Sequence, residues 1–477
     1  MVGKEDKDIK GITVNKEKDF SSWYSEVVQK AELADYAPIK GMMVIRPNAY
    51  IIWEKIQEYF NDILRKKEVK NAYFPLLIPE SFFKREAEHA EGFAPELAYI
   101  AGAEEGERLA LRPTSETIIY DSFSKWIRSW RDLPLKVNQW CNIFRWEVKQ
   151  TKPFIRTREF LWQEGHCAFS SEKEAIINMN EIIEEYKKLV EELLGIPVVI
   201  GRKSIGEKFP GAITTMTVEA LMPDGRALQC GTSHNLGQGF AKVFDVKFKG
   251  EDEKEHYVWQ TSWGFSTRLI GALTMVHGDD KGLVLPPQVA LNKVVIVPIL
   301  FEDSKEKVLR KVHEIGLKLR KFRVFVDDRE GYSPGWKFNE WELKGIPLRI
   351  EIGPRDIKEK KVVVIRRDNG KKEQISEGKI VKRITEILDE MQTDLFNKAK
   401  KFLKSRIDSA NNINELKKKL EEGKIVKVYM KDSKEIEMKL KEETGAGSRI
   451  IEDITKEGKC VICREKVRTV GWIAKGY

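Results

Sequence analysis

The sequence predicts an α+β protein of several domains: a large first segment, a mixed-sheet α/β segment, and a small α/β extension. Three observations carry this reading. The chain has 477 residues, more than one compact core holds, so two to four domains are expected. The Pro286-Pro287 pair falls where the pattern changes, and each proline restricts its neighbour and resists helix. Beyond it, short apolar strands alternate with a helical stretch. We divide the chain at 1–287, 288–391 and 392–477.

Composition narrows the class. Hydrophobic residues are 41% and charged residues 33% of the chain, enough for several cores and unlike disordered or collagen-like sequences. No apolar run approaches the ~18–20 residues of a membrane span. Met1 to Lys18 alternates Lys with Asp and Glu and has no apolar h-region, so neither membrane insertion nor secretion is expected. The five cysteines, Cys141, Cys167, Cys230, Cys460 and Cys463, are mostly isolated. That argues against a disulfide framework and for a reducing cytoplasm. A net charge of +9, from 84 basic and 75 acidic residues, suits an anionic macromolecule without requiring one.

The first segment holds nine of the twelve tryptophans and five of the six histidines. Its first cluster is Arg112-Pro113-Thr114-Ser115-Glu116, which alone reads as a helix cap. Next come Phe144-Arg145-Trp146-Glu147 and, after a polar stretch with Pro153, Arg156 to Phe160 and Leu161 to His166. Two alternating strands joined by a basic loop would put Arg145 and Glu147 on one face. The plain reading is a cross-strand ion pair, worth about 0.2–1 kcal/mol if exposed. Three arginines and an aromatic ring suit a triphosphate and a flat base better, because guanidinium forks match phosphate oxygens and rings stack on purines.

Ser171-Glu172-Lys173-Glu174 has the capping-box form, followed by apolar residues at helical spacing from Ala175 to Leu193 and ended by Gly195 and Pro197. This is scaffold. Leu228 to His234 then sets Gln229, Cys230, Thr232, Ser233 and His234 around Gly231, where backbone approaches something closely. A satisfied buried histidine is the plain reading of His234. In Gly264-Phe265-Ser266-Thr267-Arg268, an arginine opens an apolar helical run. An unpaired buried charge is costly, and a phosphate partner would remove the cost.

The second segment follows as Val294 to Ile299 (apolar), Glu302 to Arg320 (helical spacing), then Val324 to Val326, Leu348 to Ile352 and Val362 to Ile365 (strands). The third is rich in Lys and Glu around two helical patterns and ends in Cys460-Val461-Ile462-Cys463 and a short tail to Tyr477.

Phe144-Arg145-x-Glu147, a loop, and Arg156-x-x-x-Phe160 resemble motif 2 of the class II aminoacyl-tRNA synthetases. Gly264 to Arg268 resembles motif 3, and Ala49 to Arg65 with Tyr73-Phe74-Pro75 resembles motif 1. The Thr114-Ser115-Glu116 loop, Trp162-Gln163-Glu164-Gly165-His166 and Gly231-Thr232-Ser233-His234 are similar to the prolyl-tRNA synthetases of the archaeal and eukaryotic type, over about Phe20 to Tyr477.

The resemblance implies an antiparallel-sheet class II catalytic domain, an anticodon-binding domain and a zinc-type extension. It also implies ATP-dependent ligation of proline to tRNA(Pro) through a prolyl-adenylate, with Mg²⁺ bridging the phosphates and a homodimer built on motif 1. Arg145 would bridge the proline carboxylate and α-phosphate, and Glu147 and Phe160 would hold the adenine. Arg156 and Arg268 would clamp the outer phosphates, and Gln229 and Ser266 would contact ribose and adenylate. Thr114 and Glu116 would meet the proline ammonium. Trp162, Glu164, His166, Phe209, Thr232, Ser233 and His234 would shape the ring pocket. Glu342, Arg349, Arg355 and Asp356 would read anticodon guanines, although a solvated strand edge is the plain reading.

Two departures matter. Relatives of bacterial type carry an editing insertion between motifs 2 and 3, whereas Arg145 and Arg268 stand only 123 positions apart, so no editing domain is expected. Many relatives hold zinc in the extension with four cysteines. Here Cys460 and Cys463 supply half of such a site, and a degenerate, metal-free extension is expected. The ending Gly476-Tyr477 resembles the family's, whose last carboxylate reaches toward the active site. A catalytically dead relative would have lost one of Arg145, Glu147, Arg268 or Glu116, and all are present. An unrelated nucleic-acid-binding protein would show a cationic stripe instead of clusters in a mixed-charge segment.

Overall fold

The computed structural model describes residues 11–87, 96–101 and 106–477; residues 1–10 of the stretch read for targeting lie outside it. Helix α1 (Phe20–Lys30) starts where the Asp19 side chain accepts from the Ser22 N–H, and α2 (Pro47–Lys66) starts on a proline that needs no backbone donor. After β1 (Lys70–Asn71) come α3 (Glu116–Trp126), β2 (Leu135–Phe144) and β3 (Glu159–Phe169). Helix α4 (Glu172–Lys188) begins at Ser171 with both reciprocal capping-box bonds made, as expected. A wider turn over Leu189–Leu193 extends it, and Gly195 ends it with φ +66°. Strands β4 (Val199–Arg202), β5 (Thr214–Leu221), β6 (Ala227–Gly237) and β7 (Trp259–Ser266) lead into helix α5 (Arg268–His277).

Strands β2 to β7 pair in the order β4-β5-β6-β7-β3-β2, all antiparallel, with β1 added parallel at the edge of β2. Register and the two-residue alternation then fix what faces the cleft. His234, Ser262 and His166 lie in one row across the sheet, and Thr232, Gly264 and Glu164 lie in the next. Between those rows the opposite face carries Trp263 opposite Gly165. A Cβ at Gly165 would stand 2.1 Å from the Trp263 ring, so only glycine fits there. Under this face Phe265 meets Phe60 at 5.2 Å and Tyr186 at 5.1 Å in edge-on geometry, which fastens α2 and α4 to the sheet. Each such aromatic removes roughly 150–250 Å² from water, on the order of 4–6 kcal/mol before entropy is counted.

The second segment holds β8 (Val294–Pro298), α6 (Lys305–Lys318), β9 (Val324–Val326), β10 (Leu348–Ile352), β11 (Lys361–Arg366) and β12 (Lys372–Ser376). Its sheet runs β9-β8-β10-β11-β12 and is mixed: β8 pairs parallel with β9 and β10, and the remaining pairs are antiparallel. Val294, Ile296, Val312, Ile350 and Val364 are among its core residues. Position 391, where the sequence divides the last two segments, falls inside one continuous helix, α7 (Ile380–Ser405). Its apolar stripe passes without a break from Ile380 through Met391 to Leu403.

The extension adds β13 (Ile407–Ser409), β14 (Ile425–Tyr429), β15 (Gly447–Lys459) and β16 (Lys466–Ala474). These strands continue the first sheet. Ile451 of β15 pairs with Arg202 of β4, making an eleven-stranded sheet in the order β13-β14-β16-β15-β4-β5-β6-β7-β3-β2-β1. Among the described residues no helix is long and apolar enough to cross a membrane.

Candidate active site

A cleft of about 320 Å³ opens on the polar face of the central strands. Gly264 leaves its middle without a side chain; a Cβ there would stand 2.8 Å from the Gln163 carbonyl oxygen. The Thr114–Glu116 loop is anchored above the sheet by Arg112. That side chain is 1% exposed and donates to the Asn142 and Phe74 carbonyls, both at 2.9 Å.

One end of the cleft is acidic and aromatic. Thr114 Oγ1 donates to the Glu116 carboxylate. Burial, then the neighbouring Glu164 charge, pushes the Glu116 carboxyl above the usual range. Burial alone would raise Glu164 as well. Hydrogen bonds from His166 (3.1 Å), Ser115 (2.5 Å) and Gln139 (2.8 Å) hold it below that range instead. Tyr120 braces the other ring nitrogen of His166 at 3.1 Å. His234 is fixed by Thr215 (2.9 Å) and Thr232 (3.0 Å), packs at 4.7 Å on Phe209, and is pushed down to about 3 by burial and by His166, so it is neutral. Trp162 supplies a further wall.

The other end is cationic. Arg145 lies 5.3 Å from the Phe160 ring centroid and 5.8 Å from that of Trp162. Arg268 donates to the Ile155 and Gln229 carbonyls at 3.2 and 3.3 Å. Burial and the Arg145 charge push Arg268 down to about 10, so it stays protonated at neutral pH. Gln229 and Ser266 line the same end.

The structure therefore gathers Thr114, Glu116, Arg145, Phe160, Trp162, Glu164, His166, Phe209, Gln229, Thr232, His234, Ser266 and Arg268. Three expected residues do not line the cleft. Strand β2 ends at Phe144, and Arg145 to Val148 form a turn closed by the Val148 N–H on the Arg145 carbonyl. Arg145 and Glu147 are thus not alternate residues of one strand face, and Glu147 is exposed, near enough for its charge to act on Arg145. Arg156 is exposed on the connecting loop. Ser233 is opposite Trp263 on the core face, because alternation that points Thr232 and His234 into the cleft points Ser233 away.

Of the anticodon candidates, Arg349 pairs with Glu342 at 3.2 Å and with Glu351 at 3.0 Å. Arg355 and Asp356 lie past the far end of β10, and Arg355 is exposed. The Asp356 carboxylate accepts from the Gly353 N–H at 2.8 Å, a cap that engages it locally. Cys460 is buried among Met430, Ile436 and Val461 and receives the Lys431 N–H at 3.4 Å, with Cys463 beside it. Two thiols are half of a tetrahedral zinc set. Among the described residues no group of three or more His, Cys, Asp or Glu gathers in metal-binding fashion.

Sequence reasoning did not single out Lys203. It is 4% exposed, lines the cleft, and donates to Glu219 at 2.7 Å. The only signal was a lysine closing an apolar strand. Tyr120, Gln139 and Thr215, which brace the cleft residues, carry no motif.

Residues 99–277 match the family described as tRNA synthetase class II core domain (G, H, P, S and T), residues 293–387 the anticodon binding domain, and residues 413–477 the carboxy-terminal domain of prolyl-tRNA synthetase. The chain is 49% identical over 461 residues to a proline–tRNA ligase of Natranaerobius thermophilus, covering 95% of each chain. It is 48% identical over 473 residues to that of Cenarchaeum symbiosum, covering 98% and 99%. Against that of Chlorobium chlorochromatii it is 50% identical over 478 residues, covering 97% and 99%.

Proposed function

The chain belongs to the proline–tRNA ligases, a family of class II aminoacyl-tRNA synthetases, and from that membership we propose how its cleft works. It is an enzyme that joins proline to tRNA(Pro) at the expense of ATP. In the proposed sequence, the proline carboxylate attacks the α-phosphorus of ATP in line, and pyrophosphate leaves. The terminal ribose of the tRNA then attacks the prolyl-adenylate and AMP leaves. The observation that carries this reading is the make-up of the cleft: a buried carboxylate, Glu116, shares it with two guanidiniums, Arg145 and Arg268, that form no ion pair among the described residues.

A zwitterion fits that make-up. Glu116 and Thr114 receive the ammonium, and Arg145 receives the carboxylate and α-phosphate, offsetting repulsion between two anions. Trp162, Glu164, His166, Phe209, Thr232 and His234 enclose the ring, and Phe160 stacks on adenine. Arg268 takes the outer phosphates, and Gln229 and Ser266 take ribose and adenylate. Glu147 and Arg156, exposed on the hairpin turn and its loop, act on ATP from outside the cleft. ATP would enter as its Mg²⁺ complex, the ion supplying charge neutralisation on the phosphates.

Residues 1–287 form the catalytic unit, and helix α7 (Ile380–Ser405) runs across position 391, so the anticodon-binding unit and the extension share it. Glu342, Arg349 and Arg355 contact the anticodon, and Asp356 orders the turn beside Arg355. The extension holds its fold without zinc, and a stoichiometric zinc content in purified protein would refute that. The 123 positions between Arg145 and Arg268 carry strands and helices of the central sheet, which supports the absence of an editing domain. Hydrolysis of alanyl-tRNA by the purified protein would refute it. The protein is taken to act in the cytoplasm as a homodimer, and the dimer is supported by large apolar side chains left exposed around α2: Tyr36, Ile39, Val44, Tyr50 and Tyr73.

The test of the whole reading is ATP–pyrophosphate exchange with each of the twenty amino acids. Exchange should require proline. Exchange with no amino-acid dependence would defeat the assignment.

A further inference from the structure

Glu219 of β5 is fully buried, and three side chains converge on it. Lys203 Nζ and Thr217 Oγ1 donate to one carboxylate oxygen, both at 2.7 Å. Arg449, from β15 of the extension, donates to the other through Nε at 3.0 Å and Nη2 at 2.8 Å. Burial alone would raise the Glu219 carboxyl, but Lys203 and Arg449 hold it down at about 2, so it is ionised. One anion is therefore shared by two cations, and these three side chains alone sum to one positive charge, with the Glu207 carboxylate of the cleft wall acting on both cations.

Its position gives that charge a use. Lys203 lines the cleft together with Arg145 and Arg268. Glu219 stands directly opposite Gln229 in the β5–β6 register, and the Gln229 carbonyl receives Arg268. The Arg268 guanidinium also feels the charges of Glu219 and Arg449. Arg449 directs two N–H groups onto one oxygen of Glu219 and leaves the other to aim Lys203.

We infer that Lys203 is a third cation for the polyphosphate of ATP, and that Arg449 of the extension is a positioning residue acting on it through Glu219. The inference rests on the proposed ATP site and deepens it. The carboxy-terminal extension becomes a working part of the catalytic centre, because without Arg449 the carboxylate would neutralise Lys203 alone and draw it away from the anion.

The test is steady-state proline-dependent exchange in full-length wild type, Arg449→Met, Arg449→Lys and Lys203→Met. Proline dependence of the wild type comes first, since its failure would defeat the functional reading and not this inference. In Arg449→Met the KM for ATP should rise roughly tenfold while the KM for proline stays within about twofold, and Arg449→Lys should recover most of the loss. Lys203→Met should show the same ATP-selective defect. An unchanged KM for ATP in Arg449→Met overturns the inference, as does an equal rise for both substrates, the mark of a merely structural role. If Arg449→Met does not fold, Lys203→Met decides alone: an ATP-selective defect supports the inference and normal ATP kinetics overturns it.

Discussion

Arg145 and Arg268 line one cleft, each within reach of the other's charge, and neither forms an ion pair with a carboxylate among the described residues. Like charges so placed repel, and an anion between them turns that cost into affinity. Arg145→Ala removes the group set between carboxylate and α-phosphate. It should lower proline-dependent exchange by about 100-fold or more, the scale on which preorganised charge acts. A drop of less than about tenfold, measured with saturating ATP, would take Arg145 out of the reaction.

Glu116 answers the opposite end of the substrate. Its carboxyl is held above the usual range, so its proton returns at a higher pH than for an ordinary glutamate. The KM for proline should therefore climb as pH falls below neutrality. In Glu116→Gln that pH dependence should vanish, with the KM raised about 30-fold at neutral pH, the lower bound for stripping a buried charge pair of one partner. The folded-state value lies above the unfolded one, so stability is full below the unfolded value and is lost as pH rises through the folded one. Thermal unfolding of Glu116→Gln at neutral pH should be unchanged or higher. A lower melting temperature would make the residue structural.

The Gly165–Trp263 contact tests the register on which the cleft depends. Gly165→Ala would press a methyl into a ring braced by Phe60 and Tyr186. Overpacking of this kind should cost about 1–3 kcal/mol, read from denaturant unfolding. An alanine accommodated at no cost would mean that these strands are paired differently.

Glu342 separates the two functions of the chain. It is held by Arg349 (3.2 Å) and approached by Lys281 (3.5 Å), far along the chain from the cleft. Glu342→Ala should slow tRNA charging by about tenfold, the order of one lost base contact, and leave proline-dependent exchange near normal. Equal loss in both assays would remove Glu342 from anticodon recognition.

What was legible in the sequence was local. The capping box at Ser171 fixed α4 to the residue because both partners lie within one turn. The strand of Trp162, Glu164 and His166 keeps its alternation, so all three reach the cleft. Arg145 and Glu147 failed the same test because a turn began one residue too early for alternation to apply. Ser233 was included by likeness to a motif although alternation with Thr232 and His234 turns it away. Lys203 and its support were beyond local reading: Arg449 and Glu219 are 230 positions apart, and only the completed sheet brings them together.

The pairing of Ile451 with Arg202 has a practical side. A protein trimmed after Ser405 would lose more than an appendage. It would bare the hydrogen-bonding rim of β4, an open border of the kind through which folded chains recruit one another into aggregates.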